Sequence, residues 1–237
     1  LRSRLAGVTT SAAADALRAH DPTRLTMRGV SLRSGDGSPV VGPARTLQFL
    51  PSRSDVAAGP NGNARMTLID EARAGDILVF DAMAYGGPVF GDMVGLRALQ
   101  TGAAALVTDG MVRDTAALTA MGFTVYAGGT SPALIAPTMV PWAADIAIAC
   151  GGVLVVPGDW ILADADGVMV LPAALLDELV TRAQELESEE AFCAALLRSG
   201  QPLRVAYPLP APLRPFLTRY RADGHLPSAE EIRAALL

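Results

Sequence analysis

Gly91-Asp92-Met93-Val94-Gly95-Leu96-Arg97-Ala98-Leu99-Gln100-Thr101-Gly102-Ala103-Ala104-Ala105-Leu106-Val107-Thr108-Asp109-Gly110-Met111-Val112-Arg113-Asp114 reads as a helix, a strand and a turn, with charges at both ends. Met93, Leu96 and Leu99 or Gln100 recur at helical spacing, Gly102 is placed to stop the helix in a left-handed conformation, and residues 103–108 form an apolar run of strand length. Asp109-Gly110 is expected to turn the chain, so that Arg113 and Asp114 follow the strand. A helix that starts at Gly91-Asp92 leaves the backbone N–H groups of Asp92, Met93 and Val94 unpaired, with the positive end of the helix dipole behind them. That arrangement suits a carboxylate.

Outward from this stretch, strands and helices alternate in a mixed, layered α/β pattern. Towards the N-terminus, Thr9 or Thr10 caps a helix over 12–19, and residues 26–34 and 40–50 read as strands around the turn Ser34-Gly35-Asp36-Gly37-Ser38-Pro39, a predicted β-hairpin. A loop over 51–63, a short helix over 66–72 and a buried strand over 77–80 follow, and Gly86-Gly87 lies in the loop that leads to Gly91. Towards the C-terminus come a helix over 115–121, a strand over 123–127 and a Gly/Pro/Ser/Thr-rich loop over 128–141. Four short strands are expected at 145–150, 152–156, 160–163 and 168–171. Asp159, Asp164 and Asp166 lie in the turns between them and read as turn formers rather than metal ligands. Residues 173–199 form a long amphipathic helix that Gly200 can cap, 201–215 are proline-rich and extended, and Ser228-Ala229-Glu230-Glu231 is a capping box for a last helix. The expected division is a main domain over 1–200 and a C-terminal extension over 201–237, an arm suited to packing on a partner.

Composition excludes several function classes. Hydrophobic residues make up 51% and charged residues 18%, enough for a large core with apolar surface left for subunit contacts. A net charge of −5 provides no basic footprint for nucleic acid, and no apolar run reaches membrane-spanning length. Cys150, Cys193, His20 and His225 are scattered, without zinc spacing or a disulfide framework. No charged-then-apolar signal segment opens the sequence, so a cytoplasmic location is expected. No G-x-G-x-x-G follows the strand at 77–80, which argues against a dinucleotide site. All 19 basic residues are arginine. Without a lysine amine, Schiff-base chemistry on a carbonyl substrate is excluded, and any enolate formed needs another electron sink.

Two motifs carry a family resemblance. Gly91-Asp92, a helix, an apolar strand and then Asp109-Gly110-Met111-Val112-Arg113-Asp114 resemble the signature of the RraA-like family, which contains metal-dependent 4-hydroxy-4-methyl-2-oxoglutarate aldolases. Downstream, Pro157-Gly158-Asp159 and Ala163-Asp164-Ala165-Asp166-Gly167-Val168 are similar to a second family segment. With residues 9–17, which resemble the family's first helix, the likeness covers most of residues 1–200. It implies a swivelling β/β/α domain that assembles as a homotrimer or hexamer, with the site near a subunit interface. Family members often place a lysine in the loop at 128–141, and this chain has none.

Taken singly, each key residue has a plainer reading. Asp92 favours the helix dipole, Asp114 before Thr115 is an N-cap, and Arg113 is a surface ion pair. The resemblance gives the three a shared role. It implies that Asp114 is the direct metal ligand, that Asp92 holds the metal through water, and that Arg113 and Asp92 serve catalysis. Gly91, Asp92, Met93, Val94 and Arg113 would then bind the 2-oxo acid. Aspartate oxygens without histidine or cysteine favour Mg²⁺ or Mn²⁺ over zinc. The expected function is a class II pyruvate aldolase, a lyase that cleaves a 4-hydroxy-2-oxo dicarboxylic acid, with oxaloacetate decarboxylase activity on the side. Two alternatives remain open, a non-catalytic protein-binding regulator like the family's ribonuclease inhibitor, and a family lyase or decarboxylase for a different 2-oxo acid.

Overall fold

Residues 2–56, 59–60, 62–84, 87–134 and 139–236 are described by a computed structural model. Gly86, named in the sequence analysis, and Asn61, in the loop over 51–63, lie outside the described residues. In chain order the strands are β1 (Ser31–Ser34), β2 (Val40–Pro51), β3 (Ile77–Asp81), β4 (Pro88–Phe90), β5 (Ala105–Val112), β6 (Thr124–Thr130), β7 (Met139–Ala144), β8 (Ile148–Cys150), β9 (Val153–Val155), β10 (Trp160–Asp164) and β11 (Gly167–Leu171). The helices are α1 (Arg2–Leu5), α2 (Thr10–Ala16), α3 (Ala64–Asp70), α4 (Asp92–Thr101), α5 (Thr115–Ala120), α6 (Leu176–Arg198), α7 (Leu203–Ala206), α8 (Arg214–Asp223) and α9 (Ala229–Leu236). The chain divides into two compact units, Leu1–Asp177 and Glu178–Leu237. This division falls earlier than the expected one after residue 200.

In the first unit one mixed sheet runs in the order β1-β6-β5-β3-β2-β10-β11, with β4 beside β5 and β7 beside β2. Its terminal strands β1 and β11 come into contact, so the sheet is nearly closed on itself. Alternation along each strand divides the core in two. On β3, Ile77 and Val79 face one cluster, which is completed by Val153 and Val155 of the β8–β9 hairpin. Leu78 and Phe80 face the other, which is covered by α3, α4 and α5 through Leu68, Ala98 and Leu118. Hairpin, sheet and helices form the expected β/β/α layering, and each large side chain fully buried there contributes about 1.5–3 kcal/mol. Among the described residues no helix is long and apolar enough to cross a membrane.

The helical face contains a run of aromatic contacts. Phe49, Phe80, Phe90 and Phe123 follow one another at centroid separations of 5.9, 6.0 and 5.9 Å. Such pairs contribute about 0.5–1.5 kcal/mol each beyond burial. Phe90 sits in the middle of the run and immediately precedes Gly91, so the core anchors the backbone where α4 begins.

The predicted β1–β2 hairpin does not form. β1 pairs with β6, and β3, β5 and β6 lie between it and β2. Parallel pairing of β2 with β3, β3 with β5 and β5 with β6 builds the centre of the sheet and leaves β1 at its edge. Nor does Asp109-Gly110 turn the chain. It forms an irregularity inside β5, which continues to Val112 because Met111 and Val112 still pair with Gly129 and Thr130 of β6. Gly110 has a packing reason to be glycine, since a Cβ there would lie 2.7 Å from the Ala82 side chain. The apolar stripe on α4 also faces the other way from a core stripe. Met93, Leu96 and Leu99 are exposed, while Gly95 and Ala98 are buried, because the helix packs closely through its small residues. A Cβ on Gly95 would lie 2.4 Å from Leu118.

In the second unit, residues 201–215 are not extended. They contain α7 and a 3₁₀ turn that precedes α8, and Leu209, Leu213 and Leu217 pack with Phe192 and Leu196 of α6 in a small core of their own. The capping box is present. Ser228 N–H donates to Glu231 Oε2 at 2.7 Å, and Glu231 N–H donates to Ser228 Oγ at 3.2 Å. Arg219, followed by the Ser228 N–H, holds the Glu231 carboxyl down at about 2.

The aspartates of the downstream turns are structural. Asp164, 5% exposed, accepts hydrogen bonds from Thr10 N–H and Thr10 Oγ1, both at 2.7 Å, and from Asp166 N–H at 3.0 Å. Asp159 accepts one from Val156 N–H at 2.9 Å. Asp164→Ala strands two buried donors of Thr10, so a loss of about 2–5 kcal/mol is expected in urea denaturation. An unchanged midpoint would show that water replaces the carboxylate at no cost.

Candidate functional site

β4 is short, and its parallel pairing with β5 sets Pro88 opposite Met111 and Phe90 opposite Val112. Arg113 N–H donates to Phe90 O at 3.0 Å, which fixes the two strand ends side by side. One chain then enters α4 through Gly91 while the other enters α5 through Asp114. Asp114 takes a left-handed conformation, φ 56°, and its side chain makes no capping bond to α5. Aspartate tolerates this region better than most residues do. The conformation frees the carboxylate from the usual N-cap role and turns it towards Gly91.

The contacts there are close. Arg113 Nε donates to Asp114 Oδ2 at 3.1 Å, and Asp92 N–H approaches the same oxygen at 3.4 Å. A Cβ at position 91 would lie 2.7 Å from that oxygen and 3.1 Å from Arg113 Cγ. The Gly91 backbone is extended, with φ −157°, so the requirement for glycine is one of space rather than of conformation. The Arg113 and Asp114 side chains are 39% and 37% exposed, open to a ligand yet held by each other. They lie at the mouth of a cavity of about 470 Å³ that Thr115, Thr130, Ser131 and Pro132 also line.

Gly91, Arg113 and Asp114 therefore come together as the sequence suggested. Asp92 joins them through its backbone, while its carboxylate turns to its own helix and accepts the Met93 N–H at 2.7 Å. Of the three N–H groups expected to meet a substrate anion, those of Asp92 and Met93 thus face carboxylates of the chain. That of Val94 carries no hydrogen bond among the described residues. Met93 itself is 69% exposed. Thr130 and Ser131 were not read as site residues. A hydroxyl pair at the start of the Gly/Pro/Ser/Thr-rich loop was the available signal, and Ser131 N–H, by donating to Val112 O at 3.0 Å, ties that segment to the same strand end.

Asp109, read as a turn former, is instead half-buried within β5. It accepts the Ala82 N–H at 2.8 Å. Burial pushes its carboxyl above the usual range, against that hydrogen bond and with Asp81 adding to the rise. Burial also pushes the Cys150 thiol well up, with Asp109 reinforcing the effect, so no reactive thiolate stands there. Among the described residues no group of three His, Cys, Asp or Glu side chains could hold a metal.

A family profile for RraA-like proteins, described as Aldolase/RraA, matches residues 10–170. The chain belongs to the RraA-like family. A protein of Halalkalibacterium halodurans provisionally named 4-hydroxy-4-methyl-2-oxoglutarate aldolase is 36% identical over 152 residues, 64% of this chain and 68% of that one. The crystal structure of Streptomyces coelicolor RraAS2, described as an unusual member of the RNase ES inhibitor RraA protein family, superposes with a TM-score of 0.74. It is 34% identical, over 82% of this chain and 96% of that one. An uncharacterized protein of Pseudomonas syringae shares the fold, with a TM-score of 0.74 at 24% identity, over 86% of this chain and 95% of that one.

For this RraA-like chain, Gly91→Ala should part the Arg113–Asp114 pair without unfolding the protein. A shift of the Arg113 Nε–H resonance is expected, with stability within about 1 kcal/mol of wild type, because both side chains can swing into solvent. An unmoved resonance would mean that the close packing at Gly91 does not hold the pair.

Proposed function

We propose that this chain is a divalent-metal-dependent lyase that cleaves a 4-hydroxy-2-oxo dicarboxylic acid to pyruvate and a second oxo acid, with oxaloacetate decarboxylation as a side activity. The observation that carries this reading is the Arg113–Asp114 pair, held by Gly91 at the mouth of a cavity, in a chain without lysine. The names of the aldolase relatives support the reaction class.

The donor chemistry fits Mg²⁺ or Mn²⁺. Apart from the Arg113 guanidinium, which cannot ligate a cation, the polar side-chain atoms of the described residues that line the cavity are carboxylate and hydroxyl oxygens, and Asp114 Oδ1 has no hydrogen bond among the described residues. One or two carboxylates suffice for Mg²⁺, which keeps several waters. Asp114 would hold the ion directly and Asp92 through water. When bound, such an ion supplies the electron sink for the negative charge that develops on the 2-oxo group.

The chain's own residues supply the rest. Arg113 offers its two terminal NH₂ groups as a fork for the 2-oxo acid carboxylate, while its Nε remains on Asp114. The Val94 N–H, at the positive end of α4, can donate to a second carboxylate or carbonyl oxygen. Cleavage of the C3–C4 bond requires loss of the 4-hydroxyl proton and leaves the pyruvate enolate, which takes up a proton at C3. No histidine stands in the site, so a water beside Arg113 is the proposed proton carrier.

The exposed stripe Met93, Leu96 and Leu99 lies on the helix that starts at the site, and it is the proposed contact between subunits of a homotrimer or hexamer. The same stripe favours a second reading, a protein-binding regulator, in line with the description of the Streptomyces relative.

Pyruvate release from 4-hydroxy-2-oxo dicarboxylic acids and oxaloacetate, with and without chelator, separates the two. Activity lost in EDTA and restored by Mg²⁺ or Mn²⁺ is expected, and full turnover in excess chelator would end the metal reading. Arg113→Lys keeps the charge but loses the fork. Its kcat/KM should fall at least about tenfold, the equivalent of one charge-assisted hydrogen bond. Unchanged kinetics would remove Arg113 from the site, and no pyruvate from any substrate would favour the regulator.

A further inference from the structure

Arg65 is an unusual arginine in this chain. It stands in the first turn of α3, half-buried, with Nη1 donating to Val89 O at 3.1 Å. Its Nε is buried without a hydrogen-bond partner. Arginines nearby have found carboxylates, Arg97 pairing with Asp70 at 2.6 Å and Arg113 with Asp114 at 3.1 Å. Arg65 meets no carboxylate among the described residues. A guanidinium that has lost water without gaining an anion is costly, and burial alone lowers its affinity for its proton.

The topology ties this cation to the strand that feeds the site, outside the residues that line the cavity at Arg113 and Asp114. α3 leads into β3 through Gly75 and lies on the same face of the sheet as α4. Its N-terminal turn is held to β4, the strand that feeds Gly91. Val89 is two residues before Gly91, so the carbonyl that binds Arg65 is about 7 Å along the strand from the backbone that cradles Asp114. A backbone offset of this size is on the scale of a short dicarboxylic acid. An Arg–carboxylate pair also supplies what the buried Nε lacks, an acceptor of opposite charge.

We infer that Arg65 binds the distal carboxylate of the substrate, and so selects dicarboxylic over monocarboxylic 2-oxo acids. This rests on the proposed 2-oxo acid lyase function and adds a specificity-determining residue to it. Arg113 takes the carboxylate next to the reacting carbonyl, and Arg65 takes the other.

The test is calorimetric titration in Mg²⁺ buffer with 2-oxoglutarate, which lacks the 4-hydroxyl needed for cleavage, and separately with pyruvate. Wild type should bind 2-oxoglutarate at least about tenfold more tightly than pyruvate. In Arg65→Met, which keeps the apolar stem, that preference should vanish while pyruvate affinity stays within about twofold. Arg65→Lys serves as the second variant should the first fail to fold. It should lose about three- to tenfold on 2-oxoglutarate and nothing on pyruvate. Equal losses for both acids, or none, would assign Arg65 to anchoring β4 and overturn the inference, leaving the lyase reading intact. Wild type that binds neither acid would overturn both.

Discussion

The candidate site depends on one close approach, the Asp114 carboxylate filling the space that a side chain at position 91 would occupy. Several layers of structure converge to permit it. Parallel pairing of β4 with β5 brings the two strand ends level, the Phe90 ring holds one of them in the core, and the Arg113 N–H to Phe90 O bond ties them together. The left-handed backbone at Asp114 then aims its carboxylate across the gap. A non-glycine residue in this region stores strain, of the order of 1 kcal/mol or more, that the surrounding packing must offset. Strain of this kind is concentrated where a side chain has a task other than stabilising the fold.

The same approach explains why the site consists of so few protein groups. Asp114 Oδ2 is occupied by Arg113, and the Asp92 carboxylate is turned to its own helix. What remains open among the described residues is one oxygen each of Asp114 and Asp92, one guanidinium fork and the hydroxyls of the cavity wall. This set can position a small anion and share a hard cation with water, and it offers no thiol, amine or imidazole to attack a carbonyl or to activate a hydroxyl. Chemistry that proceeds through an enolate and needs an electron sink fits such a set better than chemistry that needs a covalent intermediate.

Much of this was legible in the sequence where the signal is local or depends on spacing. The capping box at Ser228 and Glu231, the Thr9 cap of α2 and the left-handed stop at Gly102 depend on a few neighbouring residues, and each is found in the structure. The twenty-residue spacing from Asp92 to Arg113 is the length of a helix and a strand, so it brings their ends together in any β-α-β unit. What was not legible depends on partners distant in sequence. The turn after Ser34 could not reveal that β1 pairs with β6, and Asp109-Gly110 resembles a turn until β4 and β6 extend the ladder past it. The α4 stripe shows periodicity without direction. Only the small residues Gly95 and Ala98 indicate which face can approach the sheet, and the large apolar side chains are then left outside. Arg65 gave no signal at all, since an arginine early in a helix ordinarily reads as a solvated charge.

The most direct measurement is Mn²⁺ binding followed by electron paramagnetic resonance, in wild type and in Asp114→Asn. Asparagine tolerates the left-handed backbone at this position, so the variant keeps the fold and loses the charge. Saturable binding of about one Mn²⁺ per chain in wild type is expected, displaced by Mg²⁺ and lost in the variant. Equal Mn²⁺ affinity in the two proteins, or none in wild type, would contradict the assignment of Asp114 as the residue around which the site is built.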